Sequence, residues 1–142
     1  MLFPICLTDE CHPTQALADF MTIEEHFGKL AGLTLAFVGD THNNVCNSLM
    51  AMSAKMGVNF IACGPDGLRP TDEIVEKCRA VAEQNNCTIT ITDDVDALNG
   101  KADAIYTDVW LSLGEDKEKW GERIELLKPY KVNMKMMDNS KP

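Results

Sequence analysis

Apolar and polar positions come in blocks along this chain, and the blocks change period. Residues 13–27 place Leu17, Phe20, Met21 and Phe27 near one face at helical spacing, which predicts an amphipathic helix. "LTLAFVGD" (33–40) is a short, nearly continuous apolar run ending in Gly-Asp, the pattern of a strand buried on both faces. Residues 43–57 predict a second helix closed by Gly57, and "VNFIACGP" (58–65) a strand stopped by Gly64-Pro65. The stretch 71–86 is the cleanest helix. Thr71 stands at its cap position, acids fill its first turn, and Ile74, Val75, Cys78, Val81 and Ala82 form one stripe. "TITIT" (88–92) is a β-branched strand, followed by a short helix at 94–99 and the strand "ADAIYTDVW" (102–110). A helix over about 116–128 ends at Pro129, and a last helical turn covers Asn133–Met137.

Strands alternating with helices predict parallel pairing through right-handed crossovers. The expected fold is α/β: a doubly wound, Rossmann-like parallel sheet of about four strands with helices on both faces. With strands at 33–40, 58–63, 88–92 and 103–109, the order 3-2-1-4 puts the reversal between the first and the fourth. Ligands in such sheets bind beyond the carboxyl ends of the strands at that point. The residues there are "GDTHNNVCNS" and "TDVWLSLGE".

Composition narrows the function. At 142 residues the chain suits one domain, with a core that needs no staples. Its net charge is −9 with no basic stripe, which argues against nucleic acid and anionic membrane surfaces as partners. A small anionic ligand held by local N–H groups stays open. The six cysteines form no CxxC pair and no zinc-spaced cluster, so free thiols in a reducing cytoplasm are expected, and no metal. No apolar run approaches the roughly 20 residues of a membrane span, and "MLFPICL" is a poor signal peptide. The GxGxxG fingerprint is missing, so no dinucleotide cofactor is expected.

Three stretches carry candidate chemistry. In "GDTHNN", one of Asn43 and Asn44 can cap the following helix, which leaves the other amide as donor and acceptor for an amino acid's ammonium or carboxylate. In "TDVWLSLGE", Asp108 sits at the apolar end of a strand and should meet a cation, from a side chain or a ligand amine. Trp110 reads as core, and Ser112 and Leu113 fall in the loop that follows. In "HPTQ", Pro13 takes the first helical position, where its missing N–H costs nothing. His12 and Gln15 then sit at the positive end of that helix, which favours anions and polarised carbonyls. His26 and His42 read as solvent-exposed or pocket-edge residues.

Together "HPTQALAD", "VGDTHNNVCNSLM" and "YTDVWLSLGE…PYKVN" resemble the ornithine carbamoyltransferases, in order and in separation. The resemblance covers essentially the whole chain and corresponds to the second, ornithine-binding domain. It implies transfer of a carbamoyl group from carbamoyl phosphate to the side-chain amine of ornithine, giving citrulline and phosphate, without a cofactor. By motif, it implies that His12 and Gln15 contact the carbamoyl group. Asn44 holds the amino acid's backbone groups, Asp108 pairs with its α-ammonium, and Ser112 and Leu113 close over ornithine. The family's Ser-Met-Gly is Ser-Leu-Gly here, a nearly volume-conserving change in a loop where the related putrescine enzymes differ. The family's phosphate-gripping Ser-x-Arg-Thr motif belongs to an upstream domain and does not occur in this chain, and its His-Cys-Leu-Pro motif lies downstream of Pro142. The resemblance therefore implies a piece of a longer family sequence: a single domain, with the carbamoyl-phosphate domain absent and turnover incomplete alone. A non-catalytic decayed or split-gene module, binding an amino acid or only self-associating, is the alternative. A homo-oligomer and association with a carbamoyl-phosphate domain both stay open.

Overall fold

The computed structural model describes residues 7–111 and 120–140. Four parallel strands form one sheet in the order β3-β2-β1-β4: β1 (Thr34–Val38), β2 (Asn59–Cys63), β3 (Ile89–Thr92) and β4 (Ala104–Tyr106). The central pairing sets Leu35 beside Phe60 and Ala104, and Phe37 beside Ala62 and Tyr106. Every residue of β1 is buried because both of its faces are covered. Leu35 and Phe37 face a core built with α1 (Pro13–Phe27), α2 (Asn44–Met56) and α3 (Asp72–Gln84). Ala36 and Val38 face a smaller cluster holding Leu98, Ala102, Tyr130 and Met136, the last from α5 (Met134–Asp138). The helix α4 (Trp120–Leu127) precedes it and buries Leu127 completely.

Three expectations need correction. The face of α1 that enters the core carries Ala16 and Phe20 with Ile23 against them, whereas Leu17 and Met21 stay 52% and 54% exposed. The spacing 16, 20, 23 is the buried stripe, and Leu17 and Met21 lie one position round the helix from it. The fourth strand is also shorter than 102–110. Its pairing with β1 stops at Phe37 beside Tyr106, one residue before β1 itself ends at Val38, and Gly39 then turns away at φ 128°. Asp108 therefore follows the strand rather than lying within it. Thr71 does occupy the cap position of α3, yet its side chain makes no capping bond.

The thiols of Cys46, Cys63, Cys78 and Cys87 are all pushed up by burial, Cys63 to about 12, which makes them poor nucleophiles. Cys6 lies outside the described residues. Among the described residues, no helix is long and apolar enough to cross a membrane, and no group of three His, Cys, Asp or Glu side chains could hold a metal ion.

Candidate functional site

The carboxyl ends of β1 and β2 come so close that Gly64 leaves no room for a side chain: an added Cβ would stand 2.2 Å from the Gly39 carbonyl oxygen. This tight closure launches the turn Asp40–Asn43. Asn43 then caps α2, its side-chain oxygen accepting from the Cys46 N–H at 2.8 Å. That capping task leaves Asn44 as the second amide of the pair. Its Nδ2 donates to the Thr8 carbonyl at 2.7 Å, which fixes the side chain across the mouth of the sheet.

The start of α1 is fastened to the same place. The His12 N–H donates to Ser48 Oγ at 2.7 Å, and Ser48 donates in turn to the Asn44 carbonyl at 2.9 Å. Pro13 is the first helical residue, and the His12 side chain makes no capping bond, so the imidazole is not used to close the helix. Gln15 donates from Nε2 to Asp19 Oδ1 at 2.9 Å. A carboxylate oxygen only accepts, so this bond fixes the amide's orientation and leaves Oε1 as its acceptor.

Four expected site residues, His12, Gln15, Asn44 and Asp108, line one cavity of about 1020 Å³. It lies beyond the carboxyl ends of β1 and β4, where the strand order reverses. Asp108 is half-buried, and its Oδ1 accepts from the neighbouring Val109 N–H at 2.7 Å. No Lys or Arg among the described residues pairs with it, so the expected cation does not come from a described side chain. Ser112 and Leu113 lie outside the described residues. His26 and His42 are exposed, and the His42 ring nitrogen Nδ1 bonds to the Arg69 carbonyl at 2.8 Å.

Sequence reasoning passed over Tyr106, which also lines the cavity. Alternation along a strand end places residues 106 and 108 on one side, and that signal could have found it. Its ring stacks on Phe37 with centroids 5.6 Å apart. Its phenol is pushed up to about 12, by burial first and then by the Asp19 carboxylate. The wall it forms is apolar in character and keeps its proton. Trp110, expected in the core, is half-buried, and its indole packs toward Gly39.

Residues 31–142 match the family model for aspartate/ornithine carbamoyltransferase, Asp/Orn binding domain. The ornithine carbamoyltransferase of Thermotoga petrophila is 54% identical over 133 residues, and that of Staphylococcus aureus 52% over 135. These stretches are 93% and 94% of this chain but only 42% and 40% of the relatives, so the chain spans about two-fifths of their length. Among solved structures, ornithine carbamoyltransferase from Pyrococcus furiosus superposes with a TM-score of 0.89 at 37% identity, over 96% of this chain and 43% of that one. The Giardia lamblia ornithine transcarbamoylase gives 0.84 at 30% identity, over 96% and 46%. With the matching fold, motif order and sequence, the chain belongs to the aspartate/ornithine carbamoyltransferase family, through its Asp/Orn binding domain.

Proposed function

We propose that these residues form the amino-acid half of an ornithine carbamoyltransferase. The carrying observation is that one cavity gathers Asp108, to which no described side chain offers a cation, with Asn44, His12 and Gln15. Asp108 receives the α-ammonium of ornithine, and Asn44 holds its backbone groups. The cavity has room for a second small molecule. His12 and Gln15, at the positive end of α1, face the carbamoyl group. Gln15 Oε1 is placed to accept from the carbamoyl N–H, and His12 to polarise the carbonyl. Ser112 and Leu113 close over the amino acid.

In this reading the neutral side-chain amine attacks the carbamoyl carbon. A carbon–nitrogen bond forms, the bond from that carbon to the phosphate oxygen breaks, and phosphate leaves with the electron pair. The amine gives up a proton. Holding both reactants in line supplies most of the advantage. Among the described residues no arginine is placed to grip a phosphate in the cavity. Arg69 pairs with Asp66, Arg79 donates to the Ile89 carbonyl, and Arg123 pairs with Asp40, and none of the three lines the cavity. This reading therefore assigns the described cavity to the amino acid and leaves the grip on phosphate to other residues of the enzyme. A cytoplasmic setting suits the unpaired, buried thiols.

Calorimetric titration of the chain tests the reading. Ornithine is expected to bind, while putrescine, which lacks the α-carboxylate, and ATP are expected to bind far more weakly. Preferential binding of ATP, or no heat with ornithine, would remove the assignment.

A further inference from the structure

Two walls of the cavity come from segments far apart in sequence. One is the turn after β1 and the start of α2, with Asn43, Asn44 and Val45; the other is the segment leaving β4, with Asp108, Val109 and Leu111. Behind both walls, Asp40 and Arg123 form an ion pair, their side chains 6% and 21% exposed. Neither residue lines the cavity. Each is bonded into a different wall.

Asp40 belongs to the first wall. Its Oδ1 accepts from the His42 N–H at 3.0 Å, and its carbonyl accepts from Asn43 Nδ2 at 2.9 Å. That same Asn43 caps α2 directly before Asn44. Arg123 reaches the second wall from α4. Its Nε donates to the Trp110 carbonyl at 2.6 Å, while Nη2 holds Asp40 Oδ2. Trp110 stands between Val109 and Leu111, and its indole Nε1 would be 3.7 Å from a Cβ on Gly39, so it is packed against the first wall as well. A guanidinium is a rigid planar fork. With one N–H on each wall, it sets the distance between them.

We propose that Arg123 is a positioning residue for the amino-acid site: its fork fixes the spacing between Asn44 and Asp108, and so the affinity for the amino acid, without touching it. This rests on the reading of the cavity as an ornithine site.

Arg123→Lys keeps a cation for Asp40 but offers a point charge that cannot hold two acceptors in fork geometry. Asp40→Asn with Arg123→Gln removes both charges together and keeps the test alive if Arg123→Lys does not fold; it is expected to show the same affinity loss and the same two quickened segments as Arg123→Lys, and their absence overturns the proposal equally. Met136→Ala is the control. It opens a cavity in the smaller core and lowers stability without touching the clamp. Amide hydrogen exchange and ornithine titration are measured on the 142-residue chain, well below each melting temperature. Arg123→Lys is expected to weaken ornithine about tenfold, the loss of one charge-assisted hydrogen bond. Exchange is expected to quicken at both 42–46 and 107–111 while β2 and β3 stay unchanged. Met136→Ala should leave affinity and the contrast between segments as in the parent chain. Affinity within about twofold of the parent, with exchange at the two walls no faster than elsewhere, overturns the proposal, and so does an equal affinity loss in Met136→Ala. If the parent chain takes up no ornithine, the cavity reading falls. The exchange pattern of Arg123→Lys then still decides whether Arg123 ties the walls.

Discussion

At the amino ends of the strands, polar side chains bond to the sheet itself; at the carboxyl ends they face a cavity. The lower rim has its own hollow of about 430 Å³, lined by Thr34, Asn59, Thr88 and Lys101 among others. There the Thr34 N–H donates to Asp103 Oδ2 at 2.7 Å, and Asn59 Oδ1 accepts from both the N–H and the hydroxyl of Thr88, at 3.1 and 3.0 Å. These bonds fix where strands begin. At the upper rim, Asp108 accepts from its neighbour's N–H and Asn44 donates to the Thr8 carbonyl 36 positions away, and both still line the larger space. Residue type does not separate the rims, since both hold carboxylates and amides. The separation is clearest in the carboxylates: Asp103 is bonded to the sheet at Thr34, whereas Asp108 is bonded to its neighbour Val109 and borders the larger cavity.

The largest effect expected from this contrast concerns turnover. The upper rim presents an acceptor for an ammonium but no arginine for a phosphate, because all three arginines are bonded elsewhere. The 142-residue chain is therefore expected to make no measurable citrulline at saturating ornithine and carbamoyl phosphate. Unoriented reactants forfeit as much as ~7–11 kcal/mol of proximity advantage. A colorimetric citrulline assay on material of verified mass checks this. Rates in the ordinary enzyme range of about 1–1000 per second would show that the rim contains a phosphate grip after all.

A smaller effect separates the rims directly. Asp108→Ala is expected to weaken ornithine by about 1–3 kcal/mol and barely change the melting temperature. Asp103→Ala should do the reverse. It deprives the buried Thr34 N–H of its side-chain acceptor, costs about 1–3 kcal/mol of stability, and leaves ornithine affinity intact. Urea melts and calorimetry on the two variants give the comparison. A shared phenotype would mean that the rims are not functionally distinct.

Much of this contrast was legible before the fold. The alternation of strands with helices and the apolar runs of β1 and β4 pointed to the parallel order, and two consecutive asparagines at the start of α2 left one amide beyond the cap. Asp108 was marked by its place at the end of an apolar strand. What stayed hidden depends on contacts between distant positions. The early end of β4 lies in its pairing with β1, which stops at Phe37 beside Tyr106, and no local pattern in 102–110 records that. The stripe of α1 that enters the core contains Ala16, whose small side chain adds little to an apolar pattern, so the larger Leu17 and Met21 took its place in the reading. The pairing of Asp40 with Arg123 spans 83 positions, and neither residue stands in a motif that points to the other. Tyr106 belongs to the strand as its pattern predicts, and its parity with Asp108, which puts it on the cavity side, is the signal that was left unused.

The smallest effect is the pH dependence of that tyrosine. Its phenol is raised from 10.0 to about 12, first by burial and then by the charge of Asp19. The folded chain therefore holds this proton more tightly than the unfolded chain does. The sign follows: stability from this group is complete below about pH 10, and it is lost as pH rises toward 12, where the unfolded chain ionises first. Tyr106→Phe keeps the ring stacked on Phe37 and removes the ionisable group. The parent chain should lose stability more steeply than Tyr106→Phe between these limits, and the two curves should run parallel at lower pH. Tyr130, whose phenol is also raised by burial, contributes equally to both chains and cancels in the difference. Urea melts across the alkaline range measure it. Curves that stay parallel up to pH 12 would show that the Tyr106 phenol meets the same surroundings folded as unfolded. The upper rim would then lack the apolar wall that distinguishes it from the hydrogen-bonded rim below.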